Sequence, residues 1–308
     1  MFQEKRLMMM YTVSPVHMGC GTSLGVIDNP IQRERHTSHP VFAGSGIKGA
    51  AREQTKGNGM SKEKINKIFG PDTNASDHAG AVSFADAQIV AFPVRSLKEG
   101  YIYATSPMAL ARLARLAQMA GAGFPTEMPP QPAETEAVVP DENGLLSDGK
   151  LVLESYEFSP SDKEASKSLK GIGKWLAQNA MPDSPAYFRD KIEKHLVLLS
   201  ETQFTYFVNN ATVVEPHVKI NDITGTATEG GLFFTENVPP ESLFVSLVMA
   251  SQERKKKGAN GDSLEAKDVM ERLTTSFDKR IFQLGGDATT GRGQVFVKFV
   301  GNAIGKEA

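Results

Sequence analysis

The chain has 308 residues, with 34 Lys/Arg against 36 Asp/Glu, a formal net charge of −2 and 40% hydrophobic residues. Such a balance supports a buried core, and the single cysteine, Cys20, excludes a disulfide framework. No apolar run reaches the ~20 residues of a membrane span, so a cytoplasmic protein without a membrane partner is expected.

The opening MFQEKRLMMMYTV carries charges ahead of an apolar run too short for a signal peptide, and it predicts a first strand over Lys5–Ser14. A glycine-rich stretch follows, from Pro15 to Glu53, with little helical or strand period. A helix is expected from about Ser45, with Lys48 and Arg52 four apart on one face. Ser61–Gly70 reads as a capped helix, and Gly80–Val94 as a strand pair or one bent strand. Ser106 as N-cap, Pro107 at the first position and Gly121 at the end frame a further helix. Gly123–Gly149, rich in Pro and acids, reads as an exposed insertion. Helices are expected at about 162–179 and 185–197, strand-like sequence over Gln203–Val245, and a helix at Ser263–Phe277. The basic run ERKKK with GANGD reads as a solvated loop. The chain closes with LGGDATTGRG and an alternating strand. Irregular alternation with hairpins points to an α+β fold around an antiparallel sheet.

Three motifs carry chemistry. GSGIKG, Gly44–Gly49, has dinucleotide-fingerprint spacing but lacks the acid about 20 residues on, since Asp72 falls in a loop. Ala50 stands where a phosphate-loop lysine would be. Either the motif is a turn feeding a helix, or the helix amides hold a phosphate with help from Lys48. Arg292, between two glycines of the closing loop, is suited to a phosphate as well. The pair in HTSH, His36 and His39, has a spacing compatible with metal but no further ligand motif beside it. Between Pro30 and Lys56 five Lys/Arg face two acids, a local positive bias in a nearly neutral chain. Trp175 reads as core.

The stretch HMGCGTSLGVIDNPIQRERHTSHPVFAGSGIKGAARE, followed in order by FPVRSL, TSP, FVNNATVVEPHVKIN, GGLFFTENVPPESLF and LGGDATTGRG, resembles the backbone subunits of type III-B CRISPR RNA-guided effector complexes, within the RAMP superfamily. Gly46 and Cys20 depart from the usual pattern. The resemblance implies one domain over 1–308. A modified ferredoxin-like (RRM-like) palm would span about 1–105 and 200–300, with insertions over 106–200 and a hairpin thumb at about 204–226, including Phe204, Phe207, Val213 and Val214. Copies would stack head to tail on CRISPR guide RNA beside other subunits, with base pairing reading the target. Guide contacts are expected from Ser45, Gly46, Lys48, Arg52, Gly285, Gly286, Gly291, Arg292 and Gly293. Complementary target RNA would be cut at Asp28, which would hold a divalent ion (Mg or Mn) or accept a proton, with His17 as an acid or positioning group. Glu229 and Glu236 have no assigned step. The other reading is a non-catalytic architectural RNA-binding subunit. A nucleotide-cofactor enzyme is a third.

Overall fold

Leu7–Tyr11 has no polar interruption because its strand is covered on both faces. In the computed structural model, which describes residues 1–73, 78–140, 142–161, 163–254 and 263–301 (without the side chains of Glu142 and Asn143), Glu4–Thr12 is a central strand. Met8 and Met10 pack with Ile47, Ala51, Val269 and Leu273, whereas Leu7, Met9 and Tyr11 pack with Leu110, Leu113, Leu169 and Leu176. The sheet therefore lies between two helical layers. One holds Gly44–Gly57, Lys62–Phe69 and Ala266–Phe277; the other holds Pro107–Met119, Lys163–Asn179 and Tyr187–His195.

Across the sheet the order is Arg280–Gln283, Gln294–Val300, Glu4–Thr12, Leu243–Ala250, Ala87–Ser96, each antiparallel to its neighbour. The parallel pairings are short: Leu196–Leu198 on Tyr103–Thr105, and Glu136–Ala137 on Ser159–Pro160. A mixed fold of helices on a large antiparallel sheet is what the sequence predicts. The Pro107 helix has the expected cap, with the Ala109 amide donating to Ser106 Oγ at 3.2 Å.

The helix expected from about Ser45 is present, with GSGIKG as the first turn of Gly44–Gly57. Four expectations need correction. Gly123–Gly149 is not merely exposed: Ala137, Val138 and Val139 are buried, and Val138 exchanges backbone hydrogen bonds with Leu198. Gln203 does not begin strand-like sequence, because Glu201–Asn210 is a helix capped by Ser200. Its Phe204 and Phe207 lie fully inside the core. The hairpin is therefore not 204–226 but Val213–Ile220 paired with Ala227–Asn237. Val213 and Val214 do stand on it, at its base. The basic run after Arg254 falls on 255–262, outside the described residues. Trp175 is only partly buried, against Phe124.

Candidate functional site

The segment Asp28–Ile31 runs beside the base of the hairpin and is stitched to it by alternating bonds. Phe234 N donates to Asp28 Oδ2 at 2.7 Å. Asn29 N donates to Phe234 O at 3.0 Å, and Glu236 N to Asn29 O at 3.0 Å. Ile31 N donates to Glu236 Oε2 at 3.1 Å. Glu236 is a buried carboxylate whose charge is compensated by Arg33 at 2.5 Å and Thr212 Oγ1 at 2.8 Å. Arg33 also reaches Val208 O and Asn209, joining the loop to the helix before the hairpin. Asp28 is half-buried, and its Oδ1 has no partner among the described residues.

Both glycine-bearing turns meet at His17–Met18. Gly286 N donates to His17 O at 2.9 Å, and Gly293 N to Pro15 O at 2.8 Å. At Gly285, with φ +82°, a Cβ would overlap the His17 carbonyl oxygen. At Gly46, a Cβ would overlap the Met18 side chain. The two turns are thus neighbours although 239 residues separate Gly46 from Gly285. The His17 ring is oriented by its Nδ1, 2.7 Å from Glu236 O. A carbonyl can only accept, so Nδ1 carries the hydrogen and Nε2 is left as an acceptor.

A cleft of about 290 Å³ opens between these parts, lined by His17, Asn29, Glu215, His217, Phe233 and Arg292 among others. Strand alternation puts Glu215, His217, Phe233, Thr235 and Asn237 on its hairpin wall, since odd-numbered positions of both strands share a face. Val214, Val218 and Leu232 stand exposed on the other face.

The expected cations differ in their commitments. Lys48 is half-buried with no ion pair or hydrogen bond among the described residues. Burial, then Arg52 and Arg254 nearby, holds its ammonium below the usual lysine range. Arg52 is spent on the fold, donating to Gly70 O at 2.5 Å and Asn66 Oδ1 at 2.7 Å. Arg292 is ion-paired with Glu215. The Gly44 amide is taken by Asp86 at 2.7 Å, whereas the first-turn amides of Ser45 and Gly46 have no helical acceptor. Gly291, φ +83°, ends the short turn that carries Arg292.

His36 and His39 part company. His36 is exposed beside Arg112 and Glu34, while His39 is buried with Nε2 2.9 Å from Thr205 Oγ1. No group of three His, Cys, Asp or Glu placed to hold a metal occurs among the described residues. Glu229 is exposed toward the hairpin tip, far along the strand from Glu236. Sequence reasoning missed Arg33, Glu215, His217, Phe233 and Asp86. The strand period in VVEPHVKI and LFFTEN was the signal for the hairpin residues.

Fold and site define an antiparallel-sheet protein with a hairpin arm set over a polar, cation-bearing cleft. The chain belongs to the RAMP superfamily, whose family model matches residues 9–296. It is 36% identical over 304 residues to the CRISPR system Cmr endoribonuclease Cmr4 of Pyrococcus furiosus, covering 97% of both chains. Oligomeric Cmr4 from Pyrococcus furiosus superposes with a TM-score of 0.74 at 27% identity, covering 98% of this chain and 99% of that one. A chain of the type III-B Cmr-beta complex bound to cognate target RNA shares the fold, with a TM-score of 0.69 at 18% identity, covering 97% and 98%. Among the described residues, no helix is long and apolar enough to cross a membrane.

Proposed function

We propose that this chain is the guide-RNA-binding backbone subunit of a type III-B CRISPR effector complex and the endoribonuclease that cuts complementary target RNA. Full-length identity to a Cmr endoribonuclease supports the activity and the partners. Copies stack head to tail, and the exposed Leu24, Val26, Val214, Val218 and Leu232 offer apolar surface for a neighbour to cover. A heterologous contact of this kind builds a filament. A cytoplasmic setting goes with this reading.

The finer structural reading is a modified ferredoxin-like palm. Its four core strands run in the order Gln294–Val300, Glu4–Thr12, Leu243–Ala250, Ala87–Ser96, with Gly44–Gly57 and Ala266–Phe277 as the paired helices. Val213–Asn237 is the thumb, and the insertions between the palm halves include Pro107–Met119, Lys163–Asn179 and Tyr187–His195 on the second face, with Lys150–Leu153 and Tyr156–Pro160 extending the sheet.

One observation carries the site: both glycine-bearing turns close on His17–Met18, next to the loop that brings Asp28 to the thumb base. Guide phosphates lie over the amides of Ser45, Gly46 and Gly285, beside Lys48, which has no ion pair among the described residues, while the Gly286 amide is spent on the His17 carbonyl. Arg292 contributes once RNA competes with Glu215 for its guanidinium. Arg52 supports the fold beneath. The target strand crosses the cleft, where its 2′-hydroxyl attacks the adjacent phosphorus. The thumb brings that attack toward in-line geometry. His17 Nε2 accepts the hydroxyl proton.

A divalent ion would be held on the protein side by Asp28 alone, whose Oδ1 has no partner among the described residues. Such an ion would neutralise charge developing on the phosphate. The test is cleavage by a reconstituted complex carrying Asp28→Asn. Loss of cutting with guide and target binding retained supports the nuclease reading. Unchanged cutting leaves the architectural one.

A further inference from the structure

The thumb wall of the cleft carries an imidazole that no step above uses. His217 stacks on Phe233 across the hairpin, ring centroids 5.1 Å apart and planes 19° from parallel. The ring is half-buried and lines the cleft, and neither nitrogen has a hydrogen-bond partner among the described residues. Stacking thus fixes the ring and leaves its polar edge to whatever enters. The charged and titratable groups around it in the cleft are Glu215 on the same face of its strand, His17 from the loop, and Asp287 and Arg292 from the glycine-bearing turn.

Attack by a 2′-hydroxyl needs two proton movements on opposite sides of phosphorus. The wall formed by the palm loop holds an acceptor, because His17 Nδ1 is committed to the Glu236 carbonyl and Nε2 is bare. Among the described residues lining that side, Asn29 and Thr290 are not acids suited to give a proton to the oxygen that departs. Arg292 is held by Glu215 and does not release a proton. An imidazole is the side chain best suited to donate near neutral pH.

We propose that His217 is the general acid of target cleavage, giving its proton to the departing 5′ oxygen; this rests on the nuclease reading above. In this step the O2′–P bond forms and the P–O5′ bond breaks. The hydroxyl proton goes to the base, and the His217 proton goes to O5′. The products are a 2′,3′-cyclic phosphate and a 5′-hydroxyl, and nothing is oxidised or reduced.

The experiment uses the assembled complex with its guide and two targets: ordinary RNA, and RNA whose scissile bridging oxygen is replaced by sulfur. A thiolate leaves without protonation. His217→Phe keeps a ring on Phe233, and His217→Gln removes the acid without adding an apolar surface. Both variants are expected to bind target as the unmodified complex does and to cut ordinary RNA at least ~100-fold more slowly. They are expected to cut the sulfur-bridged target at close to the unmodified rate. Equal losses on both targets would reduce His217 to a positioning group and overturn the proposal, as would unchanged cutting of ordinary RNA. Asp28→Asn, run alongside, is expected to lose both targets. If it cuts both, the nuclease reading itself fails, which is a different result from either His217 outcome.

Discussion

Asp28 Oδ2 accepts a 2.7 Å hydrogen bond from the Phe234 amide, so the carboxylate next to Asn29 of the cleft lining is fastened to the base of the hairpin. One oxygen sets geometry and the other is free for chemistry. Asparagine preserves the acceptor and alanine does not. Asp28→Ala should therefore lower unfolding free energy by about 2 kcal/mol, the scale of a hydrogen bond to a charged group. Asp28→Asn should stay much nearer the unmodified value. Denaturant melts of the two variants check this, and equal losses would show that the Phe234 bond does not matter.

The Arg33–Glu236 pair holds the same loop from beneath, with the Glu236 side chain only 4% exposed. Removing one partner of such a pair strands a charge, at a cost of about 3–5 kcal/mol. Arg33→Ala should show a loss of this size in calorimetry, and its cleavage defect should track the loss of folded protein. A stable Arg33→Ala protein would contradict this.

Lys48 and Arg52 share a helix face but have different tasks. Lys48→Ala should weaken guide binding and flatten the slope of log affinity against log salt by about 0.7 per lost phosphate contact. Arg52→Ala should leave that slope nearly unchanged and reduce stability, because its bonds to Gly70 and Asn66 clamp the Lys62–Phe69 helix. Filter binding across a salt series separates the two.

Burial lowers His39 to about 4 from 6.5, against a smaller opposing effect of Glu34. The unfolded chain then binds the proton more tightly between these values, so His39 makes stability rise with pH from about 4 to 6.5 and adds no slope above. Glu241, raised by burial to about 7, works in the opposite sense, eroding stability as pH rises from 4.5. His39→Gln should remove the His39 part of the acid-side slope, measured by melts at closely spaced pH. An unchanged slope would assign acid sensitivity to other groups.

Much of the frame was legible in residues whose local signals agree with their tertiary setting. Leu7–Tyr11 is a strand on any reading, and Ser106-Pro107 opens a helix. The hairpin boundary was misjudged because FTYFV looks strand-like by composition. Its spacing, Phe204, Phe207, Val208 behind the Ser200 cap, is helical, and burial of that face decides the matter. Ala137–Val139 sits in a Pro-rich, acidic context, and only the neighbouring Leu198 backbone reveals it as buried. Of the candidate site, Asp28, His17 and the glycine turns are what the resemblance implies. Glu215, His217 and Phe233 are not among them, because hairpin pairing brings them to one wall only after the turn is placed.

Single-turnover cleavage of guide-complementary RNA by the reconstituted complex, with Asp28→Asn in every copy, is the most direct measurement. Cutting should fall at least ~100-fold while guide content and target affinity stay within a factor of two. Cutting at the unmodified rate, with the guide still bound, would contradict a catalytic Asp28.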